Sequence, residues 1–143
     1  MKVETSLVLG VPPEQAYQIY ADYAGWPQVF PTISAVRLVQ RTGNSVVLEV
    51  DHRTAGKVRN ELRVEPKRRL ELVENKRRYD ARFINRFEPA PEGSRIVVTG
   101  DIRLKGLARL LAPFLGWYAR RLIQRFTLQP IKIAAEGRGR RPV

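Results

Sequence analysis

Between Ile33 and Leu104 the chain alternates apolar and polar residues almost without a break, and a period of two over that length dictates a sheet. Six runs share the pattern. Ser34, Val36, Leu38 and Gln40 alternate with Arg37, Val39 and Arg41, and then Val46, Leu48, Val50 and His52 share one face. Val58, Asn60, Leu62 and Val64 oppose Lys57, Arg59, Glu61 and Arg63. Leu70, Leu72 and Glu74 follow, then Tyr79, Ala81, Phe83, Asn85 and Phe87, then Ile96, Val98, Gly100, Ile102 and Leu104. The intervening turns carry Gly, Pro or Asn and are too short for crossovers, so the strands are expected to pair in order as an antiparallel meander. One face of that sheet is apolar and the other is wet, which calls for a cover on one side only.

The flanking segments supply the rest. Val3, Thr5, Leu7 and Leu9 alternate as a first strand. Val11-Pro12-Pro13-Glu14 opens a helix, with proline where its missing N–H costs nothing and an acid near the positive helix end. Gly25 stops it, and Trp26 to Pro31 fits one further turn. From Lys105 to Glu136 the period becomes helical. Leu107, Leu111, Phe114, Leu115, Tyr118, Leu122 and Phe126 form a stripe, and Pro113 and Pro130 are expected to bend or divide the helix. The striped helix is the only element long enough to cover the sheet. The predicted fold is α+β: a curved seven-stranded antiparallel sheet around a long C-terminal helix, with two short helices between strands 1 and 2. Residues 1–137 are read as one domain and 138–143 as a basic flexible tail.

Composition excludes several chemistries. The chain has no cysteine, hence no disulfide, thiolate nucleophile or Cys-based zinc site, and its lone histidine has no in-phase carboxylates nearby to complete a metal site. No cofactor is implied. The longest uncharged stretch, Tyr23 to Val36, carries two prolines and falls short of the roughly 20 apolar residues of a membrane span. The N-terminus lacks an export signal, so a cytoplasmic protein is expected, with peripheral membrane contact left open. The net charge of +12 is unevenly spread. Residues 103–143 hold 10 Lys or Arg against Glu136 alone, whereas residues 1–102 hold 16 against 13 acids. That asymmetry points to an anionic partner for the C-terminal element.

The element order, with Val11-Pro12-Pro13-Glu14-Gln15-Ala16-Tyr17 followed by Gly25-Trp26-Pro27-Gln28-Val29-Phe30-Pro31, resembles the START-like (SRPBCC) superfamily. Gly93-Ser94-Arg95 before a long strand and the apolar-basic final helix extend the likeness over nearly the whole chain. This group includes bacterial polyketide cyclases, coenzyme Q-binding proteins and lipid-transfer domains. The resemblance implies the helix-grip fold and a ligand cavity between sheet and helix, without naming the ligand. In aromatic polyketide cyclases it implies an arginine inside the cavity. Here Arg59, Arg63 and Arg82 fall on the opposite face, which favours binding over catalysis.

On this reading the cavity is lined by Val58, Leu62, Leu72, Phe83 and Val98 from the sheet and by Leu111, Phe114, Leu115 and Tyr118 from the helix. Trp26 and Phe30 stand at its mouth, and His52, Asn60 and Asn85 are its polar handles, as convergent polar groups are in apolar pockets. His52 reads more readily as a hydrogen-bonded strand-end histidine; were the protein an enzyme, it would be the acid/base group. Glu74 is in phase too, but beside a turn, and is read as solvated or ion-paired. Tyr17, Tyr20 and Tyr79 are read as packing or rim residues. The expected ligand is a hydrophobic small molecule such as a lipid, isoprenoid quinone or polyketide. The alternatives are a polyketide cyclase/dehydratase-like enzyme, and a module docking on membrane or ribosome through Arg109, Trp117, Arg120, Arg121 and Arg125. Nucleic acid is disfavoured because the chain holds no recognised module. Oligomeric state is left open.

Overall fold

Strands β1 (Lys2–Leu9), β2 (Ile33–Thr42), β3 (Ser45–His52), β4 (Gly56–Glu65), β5 (Arg69–Asn75), β6 (Tyr79–Ala90) and β7 (Gly93–Leu104) form one curved antiparallel sheet in this computed structural model. Residues 1–54, 56–65, 69–75 and 79–139 are described. The expected turn residues Ala55, Pro66, Lys67 and 76–78 lie outside them, as do 140–143 of the expected tail. The sheet order is β1-β7-β6-β5-β4-β3-β2, so the meander runs through neighbours and β1 joins it beside β7. Val3 faces Gly100 and Leu7 faces Ile96 across that last pair.

Between β1 and β2 lie α1 (Pro13–Ala21), a 3-10 turn at Tyr23–Gly25, and α2 (Trp26–Val29). The C-terminal helical run begins as a 3-10 segment (Gly106–Leu111), continues as α3 (Ala112–Ile123), widens into a π turn (Gln124–Leu128) and ends as α4 (Gln129–Gly139). Pro130 explains the π turn. It has no N–H to give to the carbonyl of residue 126, and its ring would clash with that carbonyl in a regular helix.

Alternation decides what the sheet buries. Leu48, Leu62, Leu70, Ile96 and Phe87 point inward against Leu128, Ile131 and Ala135 of the C-terminal helix and Ala16 and Ile19 of α1. The outer face is ionic. Glu71 forms ion pairs with Arg82, Nε to Oε1 at 2.8 Å, and with Arg63 at 3.8 Å, and Arg37 pairs with Glu49 at 3.1 Å. The arginines of the central strands therefore sit opposite the apolar face, as their phase requires.

The helix is anchored on the edge strand β1. Gln124 Nε2 donates to Thr5 Oγ1 at 2.6 Å and to the Ser6 carbonyl at 2.9 Å, and Lys132 Nζ reaches the Val8 carbonyl at 3.4 Å. Side chains thus occupy edge carbonyls that would otherwise be open to another strand.

The helix does not present the face expected of it. Leu107, Leu111, Phe114 and Tyr118 are exposed, and Leu115 and Leu122 are only half-buried. The side turned inward carries Ala119 and Ile123, with Gly116 and Ala112 in the same sector one and two turns before Ala119. Small residues let the helix backbone approach β1, and Gly116 lies against Met1. Across the π turn the buried series runs Ile123, Leu128, Ile131, Ala135. Its first step is five residues rather than four. The π turn therefore shifts the phase of the helix by one residue, and a stripe drawn straight through it cannot stay on one face.

Candidate functional site

A row of paired residues crosses the inner face of the sheet: Leu48 opposite Asn60, Asn60 opposite Glu74, and Glu74 opposite Ala81. Two polar residues stand side by side in the middle of that row because the β4–β5 register makes them partners. Above them is a cavity of about 120 Å³ lined by Tyr20, Trp26, Phe30, Thr32, Ile33, His52, Asn60, Leu72, Glu74, Phe126 and Thr127. Ile33 and His52 are themselves cross-strand partners, which brings the end of β3 to the same wall. The π turn supplies the last two residues.

The aromatic wall is self-supporting. Tyr20, Trp26 and Phe30 meet edge to face, with ring centroids 5.7 to 5.9 Å apart. The Trp26 indole N–H donates to the Tyr20 carbonyl at 2.8 Å, so a fully buried tryptophan keeps its polar atom satisfied. Phe87 backs Tyr20 from beneath the cavity.

The polar side is less complete. Asn60 is 4% exposed, and its Oδ1 has no hydrogen-bond partner among the described residues. Glu74 accepts from the Tyr79 hydroxyl at 3.3 Å. Burial pushes the Tyr20 phenol well above its ordinary range; the Glu74 carboxylate pushes it further, and the nearby Asn85 amide opposes both. Tyr20 is thus a neutral hydroxyl at any physiological pH. Asn85 lies one layer below the cavity, within reach of Tyr20 but in no well-aligned hydrogen bond.

The shifted phenol has a measurable consequence. The unfolded chain ionises Tyr20 near pH 10.0, whereas the folded protein holds the proton to higher pH. Stability owed to the buried phenol is intact below about pH 10 and is lost as pH rises toward the folded value, at about 1.4 kcal/mol per pH unit. Urea titrations above pH 10 should show that slope in the wild type, and a shallower one in Tyr20→Phe.

Of the residues expected around a ligand, Trp26, Phe30, His52, Asn60 and Leu72 come together here. Leu62 and Val98 are packed in the core instead, Phe83 lies against Gly100, and Val58 is half-buried away from the cavity. Leu111, Phe114, Leu115 and Tyr118 do not line it, because the small-residue side of α3 is the one that faces β1. Tyr20 and Glu74, which sequence alone places in packing and in solvent, both line it. Arg109, Trp117, Arg120, Arg121 and Arg125 are all exposed on the helix. Among the described residues no group of His, Asp or Glu could hold a metal.

Residues 1–136 match the family described as polyketide cyclase / dehydrase and lipid transport. The chain belongs to that family. No curated protein matches it in sequence. Solved structures similar to this polyketide cyclase / dehydrase and lipid transport member include TTHA0849 from Thermus thermophilus (TM-score 0.78, 18% identity, 96% of this chain and 99% of that one). The Zhui aromatase/cyclase from Streptomyces sp. R1128 superposes with TM-score 0.76 at 15% identity, over 98% of this chain and 96% of that one. A START superfamily protein from Mycobacterium smegmatis gives TM-score 0.65 at 18% identity, over 96% and 95%. These likenesses establish a shared START-like fold.

Proposed function

We propose that the protein binds a hydrophobic small molecule with a polar end, seating a ring-sized group of it between the sheet and the C-terminal helix. The observation that carries this reading is Asn60, a buried amide in the wall of a cavity whose other walls are mainly aromatic and aliphatic, with an oxygen that has no hydrogen-bond partner among the described residues. An unsatisfied buried polar atom costs about 1–3 kcal/mol, which a ligand hydrogen bond would recover. An amide both accepts and donates, so it serves a hydroxyl or a carbonyl oxygen equally well. At about 120 Å³ the cavity is somewhat smaller than the apolar cavity of about 150 Å³ that takes up benzene, so a single ring is the most it would hold. A longer lipid, isoprenoid quinone or polyketide would keep its remainder beyond Phe126, outside the cavity.

Phenol and benzene are the matched probes, followed by NMR of the protein. Phenol should bind saturably and more tightly than benzene. Asn60→Leu should erase that preference, a loss of about tenfold for one hydrogen bond, while folding at least as stably as wild type. Leu72→Trp should block both probes. No saturable binding of either would overturn the reading, and equal binding of both would remove its polar end.

A second reading, a polyketide cyclase/dehydratase-like enzyme, is favoured by one observation: His52, Glu74 and Tyr20, whose hydroxyl stays neutral, line the same cavity. On that reading His52→Ala abolishes turnover of a poly-β-ketone test substrate and leaves phenol binding in place. Unchanged turnover would reject His52 as the acid/base group.

A further inference from the structure

The segment from Gly106 to Ile123 carries large apolar side chains on the outside of the protein. Leu107 is 85% exposed, Leu110 75%, Phe114 75% and Trp117 65%, with Leu111 and Tyr118 about half exposed. They form one surface. Leu107 and Leu110 eclipse each other in the 3-10 turn, and Phe114, Trp117 and Arg121 continue the row at spacings of four, three and four through α3. Leu111 and Tyr118 lie beside it. A contiguous apolar patch of this kind on a soluble protein marks an interaction site.

Charge decides what the patch meets. No acidic residue occurs between Asp101 and Glu136. Arg109, Arg120, Arg121 and Arg125 stand on or beside the apolar row, all exposed, and among the described residues none forms an ion pair. The Arg121 guanidinium lies 5.5 Å from the Trp117 ring. A second copy of the chain docking face to face would set these arginines against each other. Nucleic acid would answer the arginines but leave Leu107, Leu110 and Phe114 in water. An anionic bilayer answers both, with acyl chains taking the leucines and Phe114, headgroups taking the arginines, and Trp117 and Tyr118 at the depth such rings prefer. Among the described residues no helix is long and apolar enough to cross a membrane, so the segment would lie in the plane of the interface.

We propose that the outward face of Gly106–Ile123 docks the protein on anionic lipid bilayers. The docking does not depend on what the cavity binds. It does set the cavity wall at Phe126, on the same helical run, near the membrane.

Vesicle co-sedimentation tests it, with phosphatidylcholine vesicles compared against the same vesicles containing phosphatidylglycerol. The full chain should bind the anionic vesicles at least about tenfold more tightly, and the difference should collapse as salt shortens screening from about 10 Å at 0.1 M to about 3 Å at 1 M. Trp117 emission should shift to the blue on binding, while Trp26, already buried, stays silent. The double variant Leu110→Ser/Phe114→Ser should lose vesicle binding and the Trp117 shift with unchanged thermal stability, since both side chains are exposed in the folded protein. Arg120→Glu/Arg121→Glu should lose the preference for anionic lipid. Binding indifferent to lipid charge, or no binding, would overturn the proposal. So would RNA binding that needs the arginines but not Leu110 and Phe114, or self-association that needs Phe114.

Discussion

Gly93→Ala is expected to destabilise the protein by about 3 kcal/mol, read as a lower urea midpoint at unchanged slope. Gly93 opens β7 with φ of +144°, where a side chain is strained. Space is the larger problem. A Cβ there would sit 2.7 Å from the Val11 nitrogen and carbonyl oxygen and 2.8 Å from the Leu9 carbonyl oxygen. All three are backbone atoms at the end of β1 or in its link to α1, so relief requires moving that stretch or the β6–β7 turn. Gly43 provides the control. It too has positive φ, +56°, but nothing lies within 4 Å of its missing Cβ. Gly43→Ala should cost only about 1 kcal/mol of backbone strain, and equal losses at the two sites would refute the steric account.

Phe87→Ala should cost about 3–5 kcal/mol, through lost burial and the cavity left behind. Phe87 is 1% exposed on β6 and receives the edges of two α1 rings, Tyr17 at 5.6 Å and Tyr20 at 6.4 Å between centroids. Emptying that position removes the packing that holds α1 on the sheet and exposes the underside of Tyr20. A spectroscopic alkaline titration should therefore move the Tyr20 phenol back toward the ordinary tyrosine range in the alanine variant. Phe87→Leu, which keeps most of the volume, should lose about 1–2 kcal/mol and leave that titration nearly unchanged. An alanine variant as stable as the leucine one would mean that α1 is held elsewhere.

The fold was largely legible because strand period is a local property. Val46, Leu48 and Val50, or Ile96, Val98 and Ile102, announce an inward face without reference to any partner. Short turns then leave little choice but to pair neighbours. Strand phase alone placed His52, Asn60 and Leu72 at the cavity, and the turn over residues 26–31 placed Trp26 and Phe30 there. Glu74 and Tyr20 were not legible, because what brings them in is the β4–β5 register and the docking of α1, neither of which is written in a single segment. The final helix misled for another reason. Large apolar residues at helical spacing are usually the buried stripe, but close approach to β1 selects small ones, and Ala112, Gly116 and Ala119 give a weak hydrophobic signal. Pro130 was a visible sign that the helix is interrupted. That the interruption adds a residue to one turn, rather than bending the axis, depends on how the freed carbonyl of residue 126 is accommodated.

That added residue uncouples the two ends of the helix. From the end of Gln124–Leu128 onward, the side chains of Leu128, Ile131 and Ala135 answer to the interior and tolerate little change of volume. Upstream, Leu107, Leu110, Phe114 and Trp117 touch almost nothing of the protein, so their identities are free to follow whatever lies outside it. A single continuous helix thus carries two independent sequence requirements, and substitutions can accumulate on one without straining the other. Within this architecture the outward half is a part that can be retargeted while the fold stays as it is.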